Sequence, residues 1–564
     1  MARIFLRLVL GGMAGKVLGV LREVLLAALF GAGRAVAANR VAQTGTLIPI
    51  NFFTADALSA GFLPLYVQYR REKPALALAL YRSVRMLLTG FSVLLVVGLT
   101  VGRGTWVDLL APGLDARTAG IAASMLGISA LGVPFCVLYN LYTLVGLAND
   151  DVRLINLRPS SQSIGLIAAT VAAYLTGDVA LLAWGFTGPF VVLWCWGAYW
   201  VRRRGYLAPD VDQPRPVFDR AAYRPVAAMF WQRLRPLLLV PVILQGSIAV
   251  ERVVGSLLGV EVVAATEYTR FVVDSLMALV AAPLGLAGLA SFAKMDAHEV
   301  GGGLRRMVPP VLMFTIPLAL VLSINSTGIV TVLYARGQFD ARAVAISSVM
   351  LLGFALGIWA QVLGYTFVKV LNARGANRMV AAVMMVSFGV PMLMNLSLYR
   401  YWGAFTIGAS ASFGGLVMFV ASARALGVLR FSLRLLASLA PAALAAGAVG
   451  YLLSGPGLPR LAASAAATLT VWVVAVAAVP GLRRTFLSGV VARLREMIPG
   501  RKRRTIADVL NEPTVVLQVT GPMVADAGTG GYPVVEPGAQ RYVGERQAGA
   551  QRPTTAAPRV DPWR

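Results

Sequence analysis

Long apolar stretches separated by short polar loops fill the chain from Ile4 to about Leu482. A helix needs about 20 mainly apolar residues to cross a bilayer, and about fourteen stretches reach that length. The pattern therefore predicts an all-α integral membrane protein with about fourteen transmembrane helices. The predicted spans are 8–31, 38–67, 84–102, 118–147, 155–176, 178–200, 234–258, 261–290, 307–334, 343–372, 378–399, 403–423, 433–454 and 461–482.

The loops divide these predicted helices into two lobes of six and eight. The longest internal loop, 202–226, contains four prolines and separates an N-terminal lobe (1–201) from a C-terminal lobe (227–484). No clear sequence repeat relates the two halves. Residues 485–564 are first basic and then rich in Gly, Pro, Ala and Thr, which predicts a disordered cytoplasmic tail whose basic part lies on the inner leaflet.

Composition supports the membrane assignment. The chain has 564 residues, of which 58% are hydrophobic and only 13% charged, and its mean hydropathy is +0.72. Soluble domains are nearer half apolar and a quarter charged. The net charge of +26 comes from arginines in the loops, which favours membrane lipids as partners rather than nucleic acid. Basic residues are more frequent in alternate loops, so both termini are predicted to be cytoplasmic, in the plasma (inner) membrane of a bacterium.

Several enzyme classes are excluded by what the sequence contains. One histidine and two separated cysteines, Cys136 and Cys195, cannot build a His/Cys metal cluster, a haem site or a Ser-His-Asp triad. A phosphate-binding P-loop is also missing, so ATP is not the direct energy source. We therefore expect a protein that is not an enzyme and has no cofactor, with a coupling cation as the open alternative.

Basic residues interrupt several predicted spans, among them Lys16, Arg22, Arg270 and Lys369, and of these Arg22 and Arg270 lie deepest. A charge near the bilayer centre costs about 2.5–3.5 kcal/mol on insertion scales, so it persists mostly where it faces a water-filled cavity or a partner. Guanidinium groups bind phosphate oxygens bidentately without losing their proton. These residues predict a cationic cavity for an anionic substrate, such as a lipid-linked diphosphate.

Four carboxylates share the membrane part with these cations: Glu23, Asp56, Glu267 and Asp274. Glu267 and Asp274 lie one turn on either side of Arg270, at positions i−3 and i+4, and form one charged stripe with it. We expect these carboxylates to line the cavity, to stabilise its arginines when it is empty, or to bind a coupling cation.

Three further charged residues lie near the ends of predicted spans: Arg40, Glu251 and Arg252. For these, a structural ion pair or a side chain that extends to the membrane surface is the favoured interpretation.

Four segments carry a resemblance to a known family. Lys16–Glu23 (KVLGVLRE) followed by Ala28–Gly33 (ALFGAG) resembles its R-V-L-G-x-x-R-D … FGAG pattern. Ala57–Arg70 (ALSAGFLPLYVQYR) and Leu333–Ala341 (LYARGQFDA) are similar to two further motifs. On these segments the chain resembles the MurJ/MviN family of lipid II flippases, within the superfamily of polysaccharide flippases and multidrug antiporters, over roughly 1–480.

The resemblance implies a two-lobed, V-shaped transporter that moves an anionic polyprenyl-diphosphate lipid, the peptidoglycan precursor lipid II, from the inner to the outer leaflet. It places Lys16, Arg22 and Arg270 where the family has essential cavity cations. The chain departs from the family at Ile50 and Asn51, which replace a basic pair of the second span.

The departure leaves other functions open. One alternative is a flippase for another polyprenyl-diphosphate-linked oligosaccharide, such as an O-antigen or exopolysaccharide precursor. A second is a cation-coupled multidrug antiporter. A third is a non-transporting scaffold whose C-terminal tail recruits cell-wall synthesis proteins.

Overall fold

A computed structural model of the chain describes residues 2–54, 56–72, 74–207, 228, 239–292 and 297–478. The predicted inter-lobe loop beyond residue 207 and the predicted tail at 485–564 lie outside these ranges. Within them the fold is built from nineteen helices, with no strand. The first nine are α1 (Ala2–Phe30), α2 (Arg34–Thr54), α3 (Asp56–Glu72), α4 (Pro74–Val101), α5 (Arg103–Leu110), α6 (Ala116–Ala130), α7 (Val133–Leu147), α8 (Arg153–Thr176) and α9 (Leu181–Arg203). The next ten are α10 (Leu239–Leu258), α11 (Val260–Phe292), α12 (Ala297–Ile324), α13 (Ser326–Tyr334), α14 (Ala341–Leu356), α15 (Ile358–Ala373), α16 (Asn377–Trp402), α17 (Phe405–Ala425), α18 (Leu429–Leu453) and α19 (Leu458–Ala478).

The all-α membrane architecture predicted from hydropathy is confirmed. Each predicted span coincides with one helix or with two consecutive helices, as α6 and α7 do for 118–147. Eight helices of the described chain are individually long and apolar enough to cross a membrane, and ten spans qualify if each bent helix pair counts as one. The count of fourteen crossings stays a prediction.

The two halves repeat the same order of helices, although their sequences show no clear repeat. In each half a long helix (α4 or α12) continues after a short break into a short helix (α5 or α13). A bent pair follows, α6 with α7 at 45° and α14 with α15 at 47°. Both pairs begin at an aspartate N-cap, since Asp115 and Asp340 each accept a hydrogen bond from a backbone N–H three residues on.

The bends occur where a neighbouring helix satisfies the freed backbone groups. At Gly357, between α14 and α15, the Ser412 hydroxyl of α17 accepts from the Gly357 N–H at 2.8 Å and donates to the Gly353 carbonyl at 2.5 Å. Between α6 and α7, Thr187 of α9 donates to the Ile128 carbonyl at 2.8 Å. Pro134, in the first turn of α7, also contributes to the α6–α7 bend, whereas the bend at Gly357 has no proline beside it. Such bends are stable in membranes when adjacent side chains replace the lost helical hydrogen bonds.

The halves are joined at the end of the molecule where α1 ends and α2 begins, the predicted outer side. There the Gln338 N–H, from the loop after α13, donates to the Ala28 carbonyl at 2.9 Å. The Tyr268 hydroxyl of α11 donates to the Gly31 carbonyl at 2.9 Å. Gly31 has a positive φ of 60°, and a Cβ there would lie 2.3 Å from the Gln338 carbonyl oxygen, so only glycine fits this contact.

Buried hydrophobic side chains form two cores. One buried core, which includes Phe62, Tyr139 and Phe190, lies entirely within the first half, between α2–α4 and α7–α9. The other core includes Leu26 from α1 and Tyr268 from α11, and therefore continues from one half into the other. The first half thus has a core of its own and shares a second one with its neighbour.

Candidate functional site

Charged side chains from four helices meet between the halves and form a central charge cluster. The helices are α1 and α2 from the first half and α10 and α11 from the second. The cluster consists of Lys16, Arg22, Glu23, Arg40, Glu251, Arg252, Glu267, Arg270 and Asp274.

Glu23 is the buried centre of the first-half part of this cluster, with a side chain 2% exposed. One of its oxygens accepts from Arg22 at 2.6 and 3.0 Å, and the other accepts from Arg40 of α2. One carboxylate therefore compensates two guanidinium groups, which are only 21% and 6% exposed. Charge-assisted hydrogen bonds of this kind offset the cost of placing arginine in the membrane.

The second-half part contains two crossed ion pairs between α10 and α11. Arg252 pairs with Glu267 and also donates to the Val263 carbonyl at 3.2 Å. Arg270 pairs with Glu251. The Arg252 side chain is 4% exposed, whereas that of Arg270 is 31% exposed, so Arg270 is the more accessible cation.

Aromatic rings connect the two parts across the boundary between the halves. The Arg22 guanidinium lies 5.7 Å from the ring centroid of Phe271 on α11, and that of Arg40 lies 5.8 Å from Tyr268. Arg270 lies 5.7 Å from the ring of Phe354. Cation–π contacts within about 6 Å hold these planar groups in place.

Lys16 and Asp274 occupy the more exposed part of the cluster. Both side chains are exposed, and they are near enough for their charges to interact, although no described basic group lies within 4 Å of Asp274. The side chain of Asp56, the other predicted cavity carboxylate, lies outside what the structure describes. The structure thus brings together six of the seven predicted site residues.

The cluster is nearly balanced in charge, with five cations and four carboxylates. The sequence assigned three cations and four carboxylates to the site; the structure adds Glu251, Arg40 and Arg252, and the side chain of Asp56 is not described. Arg40 and Arg252 were treated as residues of span ends, yet both are buried in the cluster. Their partners, Glu23 and Glu267, lie 17 and 15 residues away on other helices, so no helical spacing could reveal these pairs.

No metal site accompanies the cluster: within the described ranges, no three His, Cys, Asp or Glu side chains are grouped closely enough to bind a metal ion. Cys136 is buried and Cys195 exposed, and both are free thiols.

A second polar group lies outside the predicted spans, in the loop between α7 and α8. Asp151 accepts from the Trp200 indole N–H at 2.8 Å and from the Tyr206 hydroxyl at 3.0 Å. Burial raises the pKa of Asp151, but these hydrogen bonds and the backbone N–H of Arg153 outweigh burial and hold the pKa below its ordinary value. The arrangement fixes the loop against the end of α9.

Comparisons with known proteins show which family the chain resembles. A family model described as lipid II flippase MurJ matches residues 26–455. A probable lipid II flippase MurJ from Synechocystis sp. is 25% identical over 429 residues, which cover 72% of this chain and 77% of that protein. A second, from Thermotoga maritima, is 23% identical over 417 residues and covers 71% and 79%.

Among solved structures, the inward closed conformation of a lipid II flippase MurJ matches with a TM-score of 0.73 at 17% identity and covers 86% of this chain and all of that one (100%). The inward-facing conformation of a multidrug resistance MATE family transporter matches with a TM-score of 0.60 at 12% identity and covers 74% and 96%. At these identities the structural matches establish the fold alone.

Proposed function

The chain belongs to the MurJ family of lipid II flippases, and on that premise we propose that it carries the lipid-linked peptidoglycan precursor across the bacterial plasma membrane through the central charge cluster. The headgroup enters between the two halves from the inner leaflet, its diphosphate binds in the cluster, and the halves then rock to release it outward. The polyprenyl tail stays in the surrounding lipid.

The observation that carries this proposal is the pairing of accessible arginines with carboxylates at the boundary between the halves. Arg22 and Arg270 are partly exposed, come from opposite halves, and each already binds an anionic oxygen. A diphosphate offers the same type of oxygen, with more negative charge. It can therefore replace Glu23 at Arg22 and Glu251 at Arg270 in a single exchange of partners.

Exchange of partners also suggests how binding is linked to movement. Glu23 and Arg40 belong to the first half, whereas Glu251 and Arg270 belong to the second. A ligand held jointly by Arg22 and Arg270 adds an interaction between the halves that the empty protein lacks. Such differential binding is what shifts the population from one conformation to the other.

The membrane potential is the proposed driving force. A potential that is negative inside favours outward movement of an anion by about 2.3 kcal/mol per charge per 100 mV. With both termini on the cytoplasmic side, the joined end of the halves faces outward, and the substrate enters from the cytoplasmic side.

A coupling cation is proposed only at Asp274. Its carboxylate is exposed and has no basic group within 4 Å among the described residues, although Arg270 and Lys16 lie near enough to interact with it at longer range. To test this role, transport by the Asp274→Asn variant is measured in sodium, in potassium and at two pH values. Unchanged ion dependence relative to wild type would eliminate it.

The test of the central site is complementation of cells depleted of their own lipid II flippase. Arg270→Ala should fail to restore lipid II exposure on the outer leaflet, because Glu251 is left unpaired and one phosphate ligand is lost. Arg342→Ala is the matched control, since Arg342 also pairs with a carboxylate, Glu261 at 2.7 Å, but is 75% exposed. Full rescue by Arg270→Ala at equal protein level would overturn the proposed site.

The proposed role of the tail as a docking segment for cell-wall proteins is tested separately by deleting 505–564. A flippase keeps its transport activity after this deletion, whereas a scaffold loses its function.

A further inference from the structure

One half-buried arginine of the first half differs from those of the central charge cluster. Arg158 lies on α8, and among the described residues no carboxylate oxygen comes within 4 Å of it. The arginines of the cluster each pair with at least one carboxylate. A guanidinium group taken partly out of water without an opposite charge is unfavourable, and the binding of an anion relieves that cost.

The Arg158 side chain is held in a defined position. Its Nη1 donates to the Asn140 side-chain oxygen on α7 at 3.0 Å, and its guanidinium lies 5.5 Å from the ring centroid of Phe190 on α9. One hydrogen bond uses one of five N–H donors. The remaining donors keep a fixed direction because the group is supported by two other helices.

The contacts of Arg158 place it on the side of α8 that packs against α7 and α9. Exposed apolar side chains of α8 include Ile155, Leu157, Ile164 and Val171. Gly165, seven residues later on the same face as Arg158, packs directly against Pro189 of α9.

A second amide lies one helical turn from Arg158. Gln162 lies four residues after Arg158, on the same face of α8, and is half-buried. Arg158, Asn140 and Gln162 therefore place one permanent positive charge and two amides inside the first half, a combination that suits a phosphate group.

The depth of the group favours an early step in transport. Arg158 lies five residues after the start of α8, or about 7.5 Å along the helix at 1.5 Å per residue. The predicted topology puts this end of α8 at the inner leaflet, where the headgroup of a lipid-linked substrate would approach.

We propose that Arg158, with Asn140 and Gln162, forms an entry site that binds the phosphate of the polyprenyl-diphosphate substrate before it reaches the central charge cluster. This inference rests on the proposed function. In this proposal Arg158 captures the substrate. It raises the affinity of the inward-facing protein for the headgroup, whereas the conformational change depends on the central charge cluster.

The experiment measures lipid II flipping by the full chain in proteoliposomes as a function of lipid II concentration. Arg158→Gln should raise the half-saturating concentration by about tenfold, the effect of losing one charge-assisted contact, with the maximal rate changed less than about twofold. Arg158→Lys should recover part of the loss because it keeps the charge. Arg153→Gln, which removes an exposed arginine from the start of the same helix, should behave as wild type.

Added pyrophosphate distinguishes the sources of the phosphate. If the site binds phosphate generally, pyrophosphate inhibits flipping by the wild type more strongly than flipping by Arg158→Gln. If the site requires the lipid-borne group, pyrophosphate inhibits neither protein, and the half-saturating concentration of Arg158→Gln is still raised. Gln162→Leu provides a second variant should Arg158→Gln not fold, and a rise of several-fold is expected for it.

An unchanged half-saturating concentration in the folded variants, or a lower maximal rate alone, would overturn the entry site. Wild-type protein that does not flip lipid II would refute the proposed function instead.

Discussion

Removal of the Glu23 carboxylate should destabilise the protein more than any other single change in the central charge cluster. Glu23 is 2% exposed and pairs with both Arg22 and Arg40, so Glu23→Ala leaves two guanidinium groups without their shared partner. Breaking a buried pair from one side costs about 3–5 kcal/mol in the free energy of unfolding. Arg40→Ala should cost less, because Glu23 keeps its bonds to Arg22.

The double variant separates a charge effect from a packing effect. When Glu23 and Arg40 are both replaced by alanine, one of the two stranded cations is removed with the carboxylate. The double variant should therefore be more stable than the sum of the single costs implies, by about 1–3 kcal/mol. The control is Glu261→Ala, which breaks an exposed pair with Arg342 and should cost no more than about 1 kcal/mol.

The free energies are obtained from unfolding of the purified protein in mixed micelles titrated with sodium dodecyl sulfate, with tryptophan fluorescence and circular dichroism as probes. The reasoning would be refuted if Glu23→Ala and Glu261→Ala lowered the free energy of unfolding equally. It would also be refuted if the effects of Glu23→Ala and Arg40→Ala simply added up in the double variant.

Three further changes have expected outcomes. Gly31→Ala should strongly weaken the junction of the halves because its Cβ would meet a backbone carbonyl, whereas Gly177→Ala, also at positive φ but with no atom within 4 Å, should cost about 1 kcal/mol; thermal unfolding of both measures the difference. Tyr268→Phe should cost about 1–3 kcal/mol in unfolding titrations, since the carbonyl that accepts its hydroxyl is left without that bond. Asp151→Asn should lower stability at pH 7. Because the pKa of the Asp151 carboxyl is lowered in the folded protein, the carboxylate stabilises the fold above the ordinary Asp pKa, and the difference from wild type should shrink as the pH falls below about 4. Unfolding midpoints measured between pH 3 and 7 check the sign.

Hydropathy predicted the membrane helices well because burial in lipid imposes one simple requirement on length and composition. It did not predict where helices break. The stretch 343–372 is continuously apolar, yet it bends at Gly357, where the hydroxyl that satisfies the backbone comes from Ser412, more than fifty residues away. The repeated order of helices was also invisible, since it is a similarity of geometry rather than of residues.

The candidate site was predictable in part. Arg22 and Arg270 were identified from the energetic cost of charge in the membrane, which is a property of each residue alone. Arg40 and Arg252 were undervalued because their role depends on partners on other helices. Arg158 lies near the start of the predicted span 155–176 and had no role assigned from sequence; only its contacts with Asn140 and Phe190 show that it turns inward.

In the proposed cycle, the net charge of the central charge cluster links transport to the membrane potential. The described cluster has five cations and four carboxylates, an excess of one positive charge. A diphosphate with at least two negative charges reverses the sign of the assembly, so the same voltage would act in opposite directions on the empty and the loaded protein.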